Sequence, residues 1–188
     1  MTPKIYVKES ARTDAPTDKV EERLKTIPGL DIVLTSNLRT FVSEGEDLDK
    51  LKKLIFYGKG ELSEKEYEGN TFSEGRLVDE KFAKTLHGIL GIATESGELV
   101  EALLNNITSN EKVDENTVLK EIDSVNLEEE IGDLFWYIAL LCRTYNFDIE
   151  KLMQKNIDKL KLRFPNKFSE EKAINRNVEK ERVVLEEK

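Results

Sequence analysis

Apolar residues recur along this chain at the three- and four-residue spacing of helices, with no clear run of strand-like alternation. The pattern predicts a short helix and turn ending near Pro16, then a charged helical stretch, DKVEERLKTI, that stops before Pro28. Residues 29–45 read as irregular or as a short helix. Asp47 to Tyr57 is amphipathic, with Leu48, Leu51, Leu54 and Ile55 on one side and lysines on the other, closed by Gly58 and Gly60. Residues 58–76 are polar and glycine-bearing, as a surface loop would be. A long helix is expected from Asp79 to Asn105, its apolar face built from Phe82, Leu86, Ile89, Ala93, Val100 and Leu104. The polar stretch NNITSNEKVDENT breaks it. A second long helix runs from Leu127 to Tyr145 on a face of Leu127, Ile131, Leu134, Ile138, Leu141 and Cys142, and a third from Ile149 to Phe164 ends before Pro165. From Ser169 onward a charged tail reads as a further helix or a partly disordered segment.

The chain has 188 residues, 38% of them hydrophobic, which suits one all-α domain, residues 1–188, with one substantial core. The net charge of -9 leaves no basic surplus to displace counterions, so binding to a nucleic acid polymer is not expected. A small anionic substrate is still compatible if a metal supplies positive charge locally. No apolar run has the length of a membrane span, and MTPKIYVKES lacks the apolar stretch of a signal peptide, so a cytoplasmic protein is expected. A single cysteine excludes an intramolecular disulfide and a cysteine-rich zinc site; Cys142 reads as a buried structural thiol.

Two phrases carry the candidate chemistry. TESGELVEAL at 94–103 and EEEIGDLFWYIALL at 128–141 each hold two acids three residues apart, Glu95 with Glu98 and Glu130 with Asp133. Residues at i and i+3 are neighbours on a helix, so each phrase can aim two carboxylates at one point. Four oxygen ligands from two helices suit a hard divalent cation such as Mg²⁺. Acids at this spacing are usually a solvated face. Here both pairs border an apolar face, Gly91 and Ala102 leave room beside the first, and no lysine four residues on neutralises either pair. Acids crowded in this way raise one another's pKa unless a cation binds.

Absent residues trim the alternatives. A ferritin-like di-iron bundle needs Glu-x-x-His ligands on two helices, and the only histidine is His87, which reads as an ordinary helix residue. FYGKG at 56–60 is not a phosphate-binding P-loop and follows a helix, so phosphate would have to be held by metal and side chains.

The order E-S-G-E-L-V-E-A, a loop, E-E-I-G-D-L-F-W-Y and then KNIDKLKLRFPNKFSEEKAINRN resembles the MazG-like members of the all-alpha nucleoside triphosphate pyrophosphohydrolase superfamily. The resemblance covers residues 83 to about 182, and ARTDAPTDKVEERL is similar to small phage and bacterial members. Residues 28–80 look like an insertion or diverged segment, and 169–188 like a charged C-terminal tail. LKKLIFYGK at 51–59 precedes the first acidic helix, whereas a similar string follows it in small members. The resemblance implies a helical bundle whose four-helix core is completed by a second subunit, as a homodimer or homotetramer. It implies hydrolysis of a (d)NTP to a monophosphate and pyrophosphate with Mg²⁺, or Mn²⁺ in its place, on Glu95, Glu98, Glu130 and Asp133. Phosphoribosyl-ATP or alarmone substrates, or a non-catalytic helical module, are the rival readings. Glu95 or Glu98 would also activate the water, since Thr94 stands where many members have another glutamate. Tyr137, Lys155 and Asn156 match substrate-contact positions; Trp136 is expected to pack between helices, and Lys159, Arg163 and Arg176 to be solvated.

Overall fold

The computed structural model describes residues 1–14, 16–61, 79–108 and 122–186, and among these the chain is helical with no strand. The elements are α1 (Pro3–Ser10), a 3-10 turn (Ala11–Thr13), α2 (Thr17–Thr26), α3 (Leu30–Tyr57), α4 (Glu80–Thr108), α5 (Ser124–Tyr145), α6 (Ile149–Arg163), α7 (Glu170–Ile174) and α8 (Val178–Glu186). They form two compact units, one of residues 29–145 and one of residues 1–28 with 146–188.

In the first unit α4 packs against both α3 and α5. Residues 29–45, read from the sequence as irregular or a short helix, are instead continuous with 47–57 in a 28-residue α3. Gly29 opens α3 in the left-handed region at φ 73°, and Gly58 closes it at φ 63°. Gly58 N–H donates to the Leu54 carbonyl and Lys59 N–H to that of Lys53, the glycine stop expected from the sequence. Gly45 is costly inside a helix, but a Cβ there would come within 3.3 Å of the Gly97 Cα on α4. That close approach offsets the propensity which made the segment look broken. Asp79 accepts from Phe82 N–H at 2.6 Å at the start of α4, and Asp123 from Val125 N–H at 2.9 Å at the start of α5. The second cap begins α5 three residues before the expected Leu127.

The buried seam is not the expected apolar one. In α4 it consists of Gly88, Gly91, Thr94, Glu95, Gly97 and Leu104, while Ile89 is 55% exposed and Phe82 is also exposed. In α3 it is Gly45 and Lys52, with Ile55 53% exposed; in α5 it is Glu130, Tyr137 and Leu140, with Ile131 exposed. Small residues on α4 let the large side chains of α5 close in: Leu141 fills the space over Gly88, and the Tyr137 ring covers Gly91. Gly91 therefore leaves no vacant room for a ligand, contrary to the sequence expectation. Cys142 is half-buried.

In the second unit α6 packs against α1 and α8 around Ile157 and Phe164. Arg12 Nη1 donates to the carbonyls of Phe164, Pro165 and Asn166 at 2.8, 3.2 and 3.0 Å, collecting the open carbonyls after α6. The charged tail, read as a further helix or a partly disordered segment, forms α7 and α8 and is anchored. Glu181 of α8 is buried and accepts from Arg163 Nε at 2.8 Å and from Arg176 Nη2 at 2.8 Å. Those two guanidinium groups hold its carboxyl down at about 2. Arg163 and Arg176 are thus tied into a structural ion pair, not left solvated.

Candidate active site

Glu95, Glu98 and Glu130 converge where α4 meets α5, each offering a carboxylate oxygen within 4.8 Å of the others. The i,i+3 spacing on α4 brings the first two to one side, and the cap at Asp123 sets the register that turns Glu130 toward them. Asp133, one turn further along α5, is exposed and lies outside this group. Three carboxylates at this separation suit an oxygen-preferring divalent cation, so the residues present fit the metal that the sequence implies.

Glu98 and Glu130 line a cavity of about 580 Å³, within the range of small-molecule sites, and Glu95 lies behind them. Glu98, Glu130, Glu101, Ala102 and Asn126 line one side of it; Glu46, Asp49 and Lys53 of α3 line another. Room beside the acids is therefore at Ala102, as expected, and not at Gly91.

Each glutamate is held differently. Glu130 is 5% exposed and accepts from Asn126 Nδ2 at 2.9 Å. Burial pushes its carboxyl up to about 7, helped by the neighbouring charge of Glu98, a hydrogen bond with Glu98 and the charge of Glu95. The bond with Glu98 adds to the rise at Glu130 and partly offsets the rise at Glu98. Glu98 is itself raised, first by burial and then by Glu95. Glu95 is buried against Lys52 of α3, whose Nζ donates to Glu95 Oε1 at 3.0 Å and to Thr94 Oγ1 at 2.7 Å. Burial would lower the Lys52 pKa, but the hydrogen bond and charge of Glu95 outweigh it and raise the ammonium above its ordinary value.

These holdings predict a pH dependence. A carboxyl whose folded pKa lies above its ordinary 4.5 is favoured in the folded state when protonated. Its contribution is therefore present at acid pH and is lost as pH rises from about 4.5 through about 7. Metal-free protein is expected to lose on the order of 2 kcal/mol over that window relative to Glu130→Gln, which cannot titrate. Parallel pH–stability curves for the two proteins would refute this.

Lys52 and Asp49 were missed by the sequence reading, which set the α3 lysines on the solvent side. The available signal was the seven-residue step from Gly45 to Lys52, two helical turns on one face. Tyr137, which matches a substrate-contact position, is 8% exposed, with its ring against Gly91, 5.0 Å from that of Trp136 and 5.6 Å from that of His87. His87 also stacks on Phe56 at 4.2 Å, and burial lowers its pKa. Trp136 is half exposed, meeting His87 and Tyr137 edge-on. Lys155 and Asn156 belong to the other unit, on α6. Lys155 Nζ donates to the Leu185 carbonyl at 2.8 Å, and Asn156 Oδ1 accepts from the Tyr6 hydroxyl at 3.1 Å.

An all-α fold carrying three carboxylates over a polar cavity defines a helical protein suited to binding a hard cation. Residues 84–168 match the family model described as the MazG nucleotide pyrophosphohydrolase domain, so the resemblance read from the sequence is borne out for that stretch. The match supports nucleotide pyrophosphohydrolase activity in general terms. No curated protein and no solved structure matches the chain. Among the described residues no helix is long and apolar enough to cross a membrane.

Proposed function

We propose that the chain hydrolyses nucleoside or deoxynucleoside triphosphates at the alpha–beta anhydride, releasing a nucleoside monophosphate and pyrophosphate. The observation that carries this reading is the convergence of Glu95, Glu98 and Glu130 beside a cavity of about 580 Å³, within the stretch that matches the MazG domain. These three side chains would hold Mg²⁺, or Mn²⁺ in its place, with Asp133 as the fourth ligand from the next turn of α5. A bound divalent ion neutralises charge on the non-bridging phosphate oxygens. Glu98 faces the cavity and is not tied to Lys52, so it is assigned to orient the attacking water and take its proton. Glu95, buried on α4 beside Glu98, serves as a ligand and not as the base. Tyr137, Lys155 and Asn156 remain proposed substrate contacts by their match to the family pattern.

Pyrophosphate release from a panel of NTPs, dNTPs, phosphoribosyl-ATP and an alarmone, with Mg²⁺ and with chelator, tests the reading. Release from (d)NTPs that requires the cation is expected. Background signal on every substrate would overturn it, and turnover confined to the last two would replace the substrate.

We also infer a homodimer or homotetramer. Ile89 on α4, Phe135 and Trp136 on α5, and Phe41 and Ile55 on α3 are exposed large apolar side chains. Covering such surface is what subunit association does. Light scattering is expected to return the mass of two or four chains; the mass of one would refute it.

A further inference from the structure

Lys52 lies outside both acidic phrases, yet its ammonium is paired with one of the site's carboxylates, Glu95. Its side chain is 7% exposed. Nζ reaches Glu95 Oε1 at 3.0 Å, Thr94 Oγ1 at 2.7 Å and Asp49 Oδ1 at 3.2 Å, so three oxygens surround an ammonium with three hydrogens. The Tyr137 ring lies below it, with its centroid 5.4 Å from Nζ. Its helix is held against α4 by the contact of Gly45 with Gly97, two turns before Lys52, so the ammonium is placed by backbone packing and not by a chance rotamer. A charge buried this deeply persists only while it is paired.

The Thr94 hydroxyl accepts from Lys52 and has one hydrogen to give, to the Gly91 carbonyl at 2.9 Å or to Glu95 Oε1 at 3.1 Å. With threonine at 94, Glu95 has a cation from α3 as its partner and no glutamate immediately before it in the chain. A carboxylate oxygen held by an ammonium is a poor ligand to a metal until that bond is given up.

We propose that Lys52 is a resident cation of the acidic site, for which a divalent ion must exchange at Glu95. The inference rests on the reading that Glu95, Glu98 and Glu130 bind such an ion. On exchange Lys52 gives up Glu95 and keeps Asp49, which lines the cavity, so its positive charge stays at the edge of the space where a phosphate chain would lie. Lys52 thereby sets the affinity of the site: metal-free protein is neutralised from within, and the ion binds only as tightly as it outcompetes the ammonium.

Calorimetric titration of the full chain with Mn²⁺ alone tests this. Lys52→Met, which keeps the length and loses the charge, is expected to bind Mn²⁺ at least about tenfold more tightly than the native chain, and Lys52→Arg to stay near native. Metal-free Lys52→Met is also expected to melt below native protein, with Mn²⁺ restoring more of the difference than it adds to native. Native-like or weaker binding by Lys52→Met, where the native chain binds, would overturn the exchange while leaving the metal site standing; no binding to either would overturn both. A measurement on native protein stands apart from how well the variant folds. The rate of acylation of Lys52 by an amine-reactive reagent, followed by mass spectrometry, is expected to rise when Mn²⁺ is added. An unchanged or slower rate overturns the proposal.

Discussion

Glu98→Gln should lose pyrophosphate release by at least about 100-fold while keeping its fold. Removing a group that merely supports a metal ligand typically costs about 10–100-fold, and a ligand that also orients the water should cost more. The substitution removes one negative charge and the ability to take a proton, but little volume. Glu98 faces the cavity beside Glu130, so an amide at 98 can still hydrogen-bond across to that carboxyl. Removing its charge also relieves the repulsion that raises Glu130. Metal-free Glu98→Gln should thus melt at or above the native temperature. Activity within a few-fold of native would remove Glu98 from the mechanism; loss of activity together with loss of helicity by circular dichroism would not assign it a chemical role.

Gly91→Ala should be among the most destabilising single-methyl additions in the chain, by about 3 kcal/mol or more in denaturant unfolding. A Cβ at this position would lie 2.2 Å from two carbons of the Tyr137 ring and 2.3 Å from a third. The ring cannot easily retreat, since its other neighbours are the His87 and Trp136 rings. The effect should reach the site as well, because Tyr137 lies below Lys52, which holds Glu95. Gly132→Ala on α5 is the control: its Cβ would meet nothing within 4 Å, and alanine's helix propensity should stabilise by up to about 1 kcal/mol. Equal stabilities for the two variants would show that the ring moves aside at little cost.

The helices α4, α5 and α6 were legible because their evidence is local. Apolar periodicity, Pro165 after α6 and the glycine stop at Gly58 act within a turn or two of chain. The pairing of the two glutamates on α4 was legible for the same reason. The continuity of α3 was not. Gly45 and the β-branched residues before it argue locally against a helix, and the contact that rewards Gly45 lies 52 residues away at Gly97. Nor did periodicity tell which face would be buried within one chain, because an apolar stripe and a stripe of glycines both offer a seam. Small residues permit the closer approach, and α4 takes it.

By itself the sequence determined that the protein is helical, where most of its helices begin and end, and that acids three residues apart would share a helix face beside a core. Each of those follows from backbone geometry over a few residues. Only the tertiary structure decided that Lys52, 43 residues before Glu95, neutralises an acid the sequence left uncompensated, that burial beside Glu98 raises the Glu130 carboxyl, and that Asp133 lies outside the group of three glutamates. Charge balance and pKa depend on distance through space and on exclusion of water. Both are set by how α3, α4 and α5 pack, and no local pattern in the chain encodes that.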